Sequence, residues 1–282
     1  MRKQIALKLV VLMILFTSCT QNNYVEERVG IQLYSLRKQF AKDVPGTMDL
    51  IKSWGITVIE GGDNTYGIEE SKFISLLKDY GIKTASVGAS FEELRDNPEK
   101  SLQRAKSFGA SYVMCAWISH KDNHFNIENA KNAIEVFNKA GKILNEDGIT
   151  LVYHPHGYEF KPYLDGTMFD YMAKNAENFD FEMDVYWVKH GGEDPMALFE
   201  RYPDKFKLMH LKDMRKGTIG NTTGHGDVED NVVLGTGMIA IEALVLKGKE
   251  LGVEYMFIED ESSNVVAQVP LSIDFVKKIE LP

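Results

Sequence analysis

Residues 129–156, NAKNAIEVFNKAGKILNEDGITLVYHPH, contain one complete unit of the fold. Ala133, Ile134, Phe137, Ala140 and Leu144 recur three or four apart, the spacing of one helix face, and Gly148 stands where such a helix would stop. The run that follows, ITLVYHPH (149–156), has the length and apolar content of a strand and closes on two histidines two residues apart.

The same alternation continues in both directions. Seven more apolar runs read as strands: VGIQLYSL (29–36), ITVIEGG (56–62), IKTASVGA (82–89), ASYVMCAWI (110–118), FDFEMDVYWV (179–188), FKLMHLKDM (206–214) and VEYMFIED (253–260). Helical spacing fills the intervals, as in GTMDLIKSWG and EESKFISLLKDYG. Eight strands alternating with helices imply parallel pairing and a closed (β/α)8 barrel, an α/β fold in one domain. A doubly wound open sheet shares the alternation, but no Gly-rich phosphate loop follows the first run. One connection breaks the rhythm: RKGTIGNTTGHGDVEDNVVLGTG (215–237) is polar, glycine-rich and too long for a turn. On a barrel it would follow strand seven and overhang the end where active sites form, as a lid or as a floppy insertion.

The first nineteen residues are of another kind. MRKQ is basic, IALKLVVLMILF is apolar apart from Lys8, and TSC ends the stretch, which reads as a secretion signal. Thr17 and Ser18 before Cys19 resemble a lipoprotein lipobox, with Phe16 in place of the usual aliphatic residue. The expected organisation is a signal over 1–19 with lipidation at Cys19, a polar tether over 20–28 and the barrel over 29–282. The mature protein would be lipid-anchored in a bacterial envelope, facing the periplasm; an ordinary signal peptide cut nearby is the alternative. Cys115 would then be the sole remaining cysteine, leaving no internal disulfide. Removing Arg2, Lys3 and Lys8 leaves 29 basic against 41 acidic residues, a balance of −12 that disfavours nucleic acid and anionic membrane.

Polar residues gather late in the last four runs. Run five ends with His154 and His156, run six carries Asp184, run seven His210, Lys212 and Asp213, and run eight Glu259 and Glu261. Residues two apart share a strand face, so His154 and His156 can both point inward, as can His210 and Lys212. Burying such groups alone is costly, and a divalent cation among them would resolve the cost. A mixed imidazole and carboxylate set suits Mn, Co, Zn or Fe. Taken singly, each has a plainer use: a strand-end histidine packs and hydrogen-bonds, and Asp184 or Glu259 caps a helix.

YHPHGYEF, MDVYWVKHGGEDP, MHLKDM and EYMFIEDE resemble the motifs of the sugar phosphate isomerase/epimerase family, xylose-isomerase-like TIM barrels with inosose dehydratases, ketose 3-epimerases and 3-keto-glycoside lyases among them. The resemblance runs from about Val29 to the end and is nearest to the inosose dehydratase and 3-keto-glycoside lyase branch. It implies one metal ligand from each of strands five to eight, commonly Glu, Asp, His and Glu. Asp184, His210 and Glu259 fall on the last three positions, while His154 stands where the glutamate is usual, with His156 as its rival. DNA-repair relatives exist, but the acidic balance argues against that branch.

The resemblance also implies abstraction of a proton beside a carbonyl, with the metal on the carbonyl oxygen. Lys212, its pKa lowered by the metal, is the expected base; His156 or Glu159 is the expected proton donor to a leaving oxygen. Gln32, Tyr34, Glu60, Trp117 and Trp187 are the expected sugar contacts, against core packing as the ordinary use of a tryptophan. His120, His124, His190 and His225 read as surface loop residues. With no phosphate loop or arginine cluster near the rim, an unphosphorylated keto-sugar or 3-keto-glycoside is the expected substrate. The competing expectation is a sugar-binding lipoprotein that keeps the barrel without turnover.

Overall fold

The computed structural model describes Val25 and residues 27–280; the signal, Cys19 and most of the tether lie outside the described residues. Eight parallel strands close a barrel in sequence order: β1 (Val29–Gln32), β2 (Val58–Glu60), β3 (Lys83–Gly88), β4 (Tyr112–Cys115), β5 (Thr150–Tyr153), β6 (Phe179–Asp184), β7 (Phe206–Leu211) and β8 (Tyr255–Ile258), with β8 pairing back onto β1. A helix follows each strand: α1 (Val44–Ser53), α2 (Glu70–Asp79), α3 (Pro98–Phe108), α4 (Ile127–Asn145), α5 (Met168–Lys174), α6 (Pro195–Arg201), α7 (Ile241–Glu250) and α8 (Val265–Val276). Among the described residues no helix is long and apolar enough to cross a membrane.

Strand alternation sorts the core into two layers. Val58, Ala85, Tyr112, Met114, Val152, Leu208 and Phe257 fill the barrel centre, while Ile59, Val87, Val113, Leu151, Phe181, Met209 and Met256 pack outward under the helices. Gly30 lets β1 lie close to β2, since a Cβ there would stand 2.2 Å from the Val58 carbonyl oxygen.

Every apolar run of the sequence contains its strand, but several strands stop earlier than the runs do. Leu33–Leu36 form a 3-10 turn after β1, and Val185–His190 form a short helix directly after β6. These segments are apolar because they roof the barrel, not because they extend it; Leu33, Leu36, Val185 and Val188 are all buried.

The long connection after β7 is a folded strap. Asp213–Met214 pairs antiparallel with Asn231–Val232. The Asp213 carboxylate accepts N–H groups from Met214, Gly235, Gly237 and Ile239, so it anchors this loop and takes no part in the site.

Candidate active site

At the carboxyl ends of the strands the inward positions turn polar. Register sets Asp184 beside His210, and Gln32 beside Glu60. His154 Nε2 lies 3.1 Å from Asp184 Oδ2, and His210 Nδ1 lies 3.5 Å from both Asp184 Oδ2 and Glu259 Oε2. Asp184 serves two ends at once: Oδ1 caps the Val185–His190 helix by accepting the Trp187 N–H at 2.7 Å, leaving Oδ2 to the histidines. Burial opposes its charge, but His154 and His210 outweigh it and hold the carboxyl well below its usual range. The structure thus brings His154, Asp184, His210 and Glu259 together, and it is His154 and not His156 that meets Asp184.

The other nitrogen of His210 faces a second acid pair. Nε2 lies 2.6 Å from Glu60 Oε1 and 3.3 Å from Glu182 Oε1, and Gln32 Nε2 donates to Glu60 at 2.8 Å. Burial opposes a charge on His210, but Glu182, Glu259 and Asp184 outweigh it and hold its pKa well above the ordinary 6.5. With Nε2–H held by Glu60, Nδ1 is the nitrogen that would give up its proton to a cation between Asp184 and Glu259. Glu60, expected to touch sugar, is fully buried behind His210 and supports it instead. Glu182 was not among the expected site residues, although it shares a strand face with Asp184. Burial, reinforced by Glu60, pushes its carboxyl well above the usual range. Among the described residues, these two groups, His154–Asp184–His210 and Glu60–Glu182–His210, each place three donor atoms within 4.8 Å of one another.

Lys212 departs most from expectation. Its amine is 1% exposed and reaches Glu259 Oε2 at 2.9 Å and Glu261 Oε1 at 2.7 Å. Burial works against the ammonium, but Glu259, Glu261 and Asp184 outweigh it and raise its pKa far above the ordinary lysine range. The protein's own charges therefore keep Lys212 protonated, not poised as a base. His156 is the opposite case: burial, with His154 and Lys212 adding to it, drives its pKa well below the ordinary 6.5 and leaves the imidazole neutral.

Above the cluster lies a cavity of about 620 Å³. Gln32, Tyr34, His154, His156, Trp187 and Glu259 line it, whereas Glu159, Glu60 and Lys212 do not. No lysine or arginine is among the described lining residues. Glu159 is fully buried behind β5, with its carboxylate accepting from the Tyr153 hydroxyl and from the His156 N–H, so it is no direct partner for substrate.

Trp117 lines the cavity, but its ring is already engaged. His120 stacks on it at 4.9 Å and 22°, and His225 from the strap leans on it at 5.5 Å and 35°. His225 also reaches Asn123 Oδ1 at 2.9 Å. Of the four histidines expected on the surface, His120 is half-buried and His190 is buried against Tyr186 and Trp187, whereas His124 and His225 are exposed, with His225 standing at the cavity mouth. Gly224 permits this, since a Cβ there would meet the Tyr158 ring at 2.7 Å.

Fold and site together define a (β/α)8 barrel with a histidine and carboxylate centre at the carboxyl end, where barrels of this kind carry their chemistry. The chain belongs to the xylose isomerase-like TIM barrel family, whose profile matches residues 48–279. It is 27% identical over 173 residues to the inosose dehydratase of Mesomycoplasma hyopneumoniae (strain J), which covers 55% of this chain and 58% of that protein. The chain matches less than two thirds of the length of its curated inosose dehydratase relatives. In fold it is similar to a sugar phosphate isomerase/epimerase from Parabacteroides distasonis, with TM-score 0.74 and 24% identity over 90% of this chain and 96% of that one. It is also similar in fold to the IOLI protein with a bound zinc atom, with TM-score 0.66 and 13% identity over 90% of this chain and 96% of that one.

Proposed function

We propose that this protein is a divalent-metal-dependent isomerase, epimerase or lyase that removes the proton beside a carbonyl of a keto-sugar or 3-keto-glycoside. The observation that carries the reading is the convergence of His154, Asp184, His210 and Glu259 beneath a cavity of about 620 Å³, a volume suited to a sugar derivative. Kinship with inosose dehydratases, and likeness in fold to a zinc-holding barrel, support the class.

These four residues fit a cation. His210 Nδ1 is buried without a hydrogen-bond partner while facing two carboxylates, and two imidazoles with two carboxylates suit Mn, Co, Zn or Fe. A dication held there would stabilise the negative charge that develops on the substrate carbonyl oxygen.

The remaining work falls to the chain's own groups. His156 presents a neutral imidazole to the cavity and accepts the α proton. Lys212 braces Glu259 and Glu261 as an ammonium. Tyr34, Trp187 and the Gln32 amide give the sugar apolar and hydrogen-bonding surface, and the strap residues Gly224–Gly226 border the cavity. The absence of lysine and arginine among the described lining residues favours an unphosphorylated substrate.

The test is incubation with 3-keto-glucosides and simple ketoses in deuterated water, with product and α-carbon label read by NMR. Label that disappears with chelator and returns with manganese or cobalt supports the enzyme. Sugar binding with neither label nor conversion would make the barrel a binding protein. Lipid anchoring at Cys19 is part of the proposal, supported by the TSC sequence and checked by the mass of the mature N-terminus and its loss from membranes in Cys19→Ala.

A further inference from the structure

The turn that carries His156 is held from behind. Gly157 follows with φ +95°, packed against Gly191 of the Val185–His190 segment's end. Both oxygens of the Glu159 carboxylate lie 3.2 Å from the His156 backbone nitrogen, and the Tyr153 hydroxyl at the end of β5 donates to Oε1. Tyr153 in turn meets the Tyr158 hydroxyl at 3.0 Å, and Tyr158 accepts the Ile118 N–H at 3.1 Å. Glu159 thus ties the His156 backbone to β5 and to the segment after β4, wholly out of solvent.

The His156 ring has no such anchor. Its Nδ1 is buried without a hydrogen-bond partner, and its neighbours are rings: Trp117 at 5.5 Å, His154 at 4.6 Å and Trp187 at 5.1 Å. Ring contacts limit tilt, but the place from which the imidazole springs is set by its backbone. A carboxyl whose burial pushes it up to about 7 is present in both protonation states near neutrality, so its reach matters more than its charge.

We propose that Glu159 is a positioning residue, which aims the His156 imidazole by holding the His156 backbone N–H. The proposal rests on the reading of His156 as proton acceptor. It predicts an order among substitutions that a direct acid–base role reverses. Glu159→Gln keeps the reach and an acceptor oxygen but loses the acid; Glu159→Asp keeps the acid but falls one methylene short.

The experiment measures kcat and KM for α-proton exchange on a 3-keto-glucoside, alongside the His156 ring resonances in histidine-labelled protein. Glu159→Gln should stay within about twofold of the parent in kcat, and Glu159→Leu should lose on the order of 100-fold with KM unchanged, the scale of an ångström-sized misplacement. Glu159→Asp should fall between them, and the ring resonances should move in Asp and Leu but not in Gln. If the leucine variant does not fold, the order of Gln and Asp decides alone. Asp outperforming Gln, or resonances unmoved in Asp, overturns the proposal. Should the parent catalyse no exchange on any keto-sugar, the functional reading fails while the resonances still decide whether Glu159 places the ring.

Discussion

Single side chains in this site are defined by what stands behind them. His210 offers Nδ1 to Asp184 and Glu259 because Nε2 is taken by Glu60. Glu60→Gln should therefore weaken metal retention by about 10–100-fold, the usual loss when a ligand's support is removed, as read by metal content after dialysis. Unaltered retention would mean that the tautomer is fixed some other way. His156 gives a pH prediction. A base must be unprotonated, and a pKa held well below 6.5 moves the onset of activity to lower pH, so the acid limb of kcat/KM should lie below pH 6.5. A limb at or above that value would remove His156 from the role. The sequence pointed to His154, Asp184, His210 and Glu259 through their late positions in consecutive runs. It did not show that Lys212 turns to Glu259 and Glu261, or that Glu159 folds back onto Tyr153 and the His156 N–H, because a side chain's direction depends on partners that only the folded chain brings within reach.

At the level of elements, β3 and its following helices are pinned by one carboxylate. Glu93 accepts from Arg104 at 2.7 and 2.8 Å and from Ser101 at 2.5 Å, and Arg104 also donates to the Gly88 carbonyl at the end of β3. Burial opposes the charge, yet Arg104, Ser101 and Lys100 prevail and lower the Glu93 pKa from 4.5 to about 2. A depressed carboxyl pKa contributes stability in full above pH 4.5 and loses it as pH falls toward 2. Glu93→Gln should cost about 1.5–3 kcal/mol in urea unfolding at pH 7, with the difference shrinking by pH 3. An equal difference at both pH values would refute the ionic account. The strap supplies a second prediction. Four N–H groups converge on Asp213, and Asp213→Ala should release the segment, read as faster tryptic cleavage after Arg215 and Lys216. Helical periodicity and glycine stops made the elements legible, but the strap was not, since its order comes from a carboxylate at its base and not from local pattern.

Over the whole molecule, the cavity and the charge point the same way. The cavity lining includes Asp63, Glu92, Glu259 and Glu261 but no described lysine or arginine, and the full chain carries a net charge of −9. Phosphate backbones need basic neutralisation, so the protein should not retard duplex DNA even at low salt, and a salt-sensitive shift would reopen the nuclease branch of the family.

Eight alternations of strand and helix, and the late placement of acids and histidines in four of them, were enough to specify a closed barrel with a polar mouth, because period and position along a strand are local properties. What only the closed barrel decided is which polar residues meet. Glu182 joins Glu60 and His210 across the barrel, His154 and not His156 reaches Asp184, and Lys212 turns to Glu259. Those pairings set protonation and aim through distances between strands far apart in sequence, and such distances exist only once the sheet has closed.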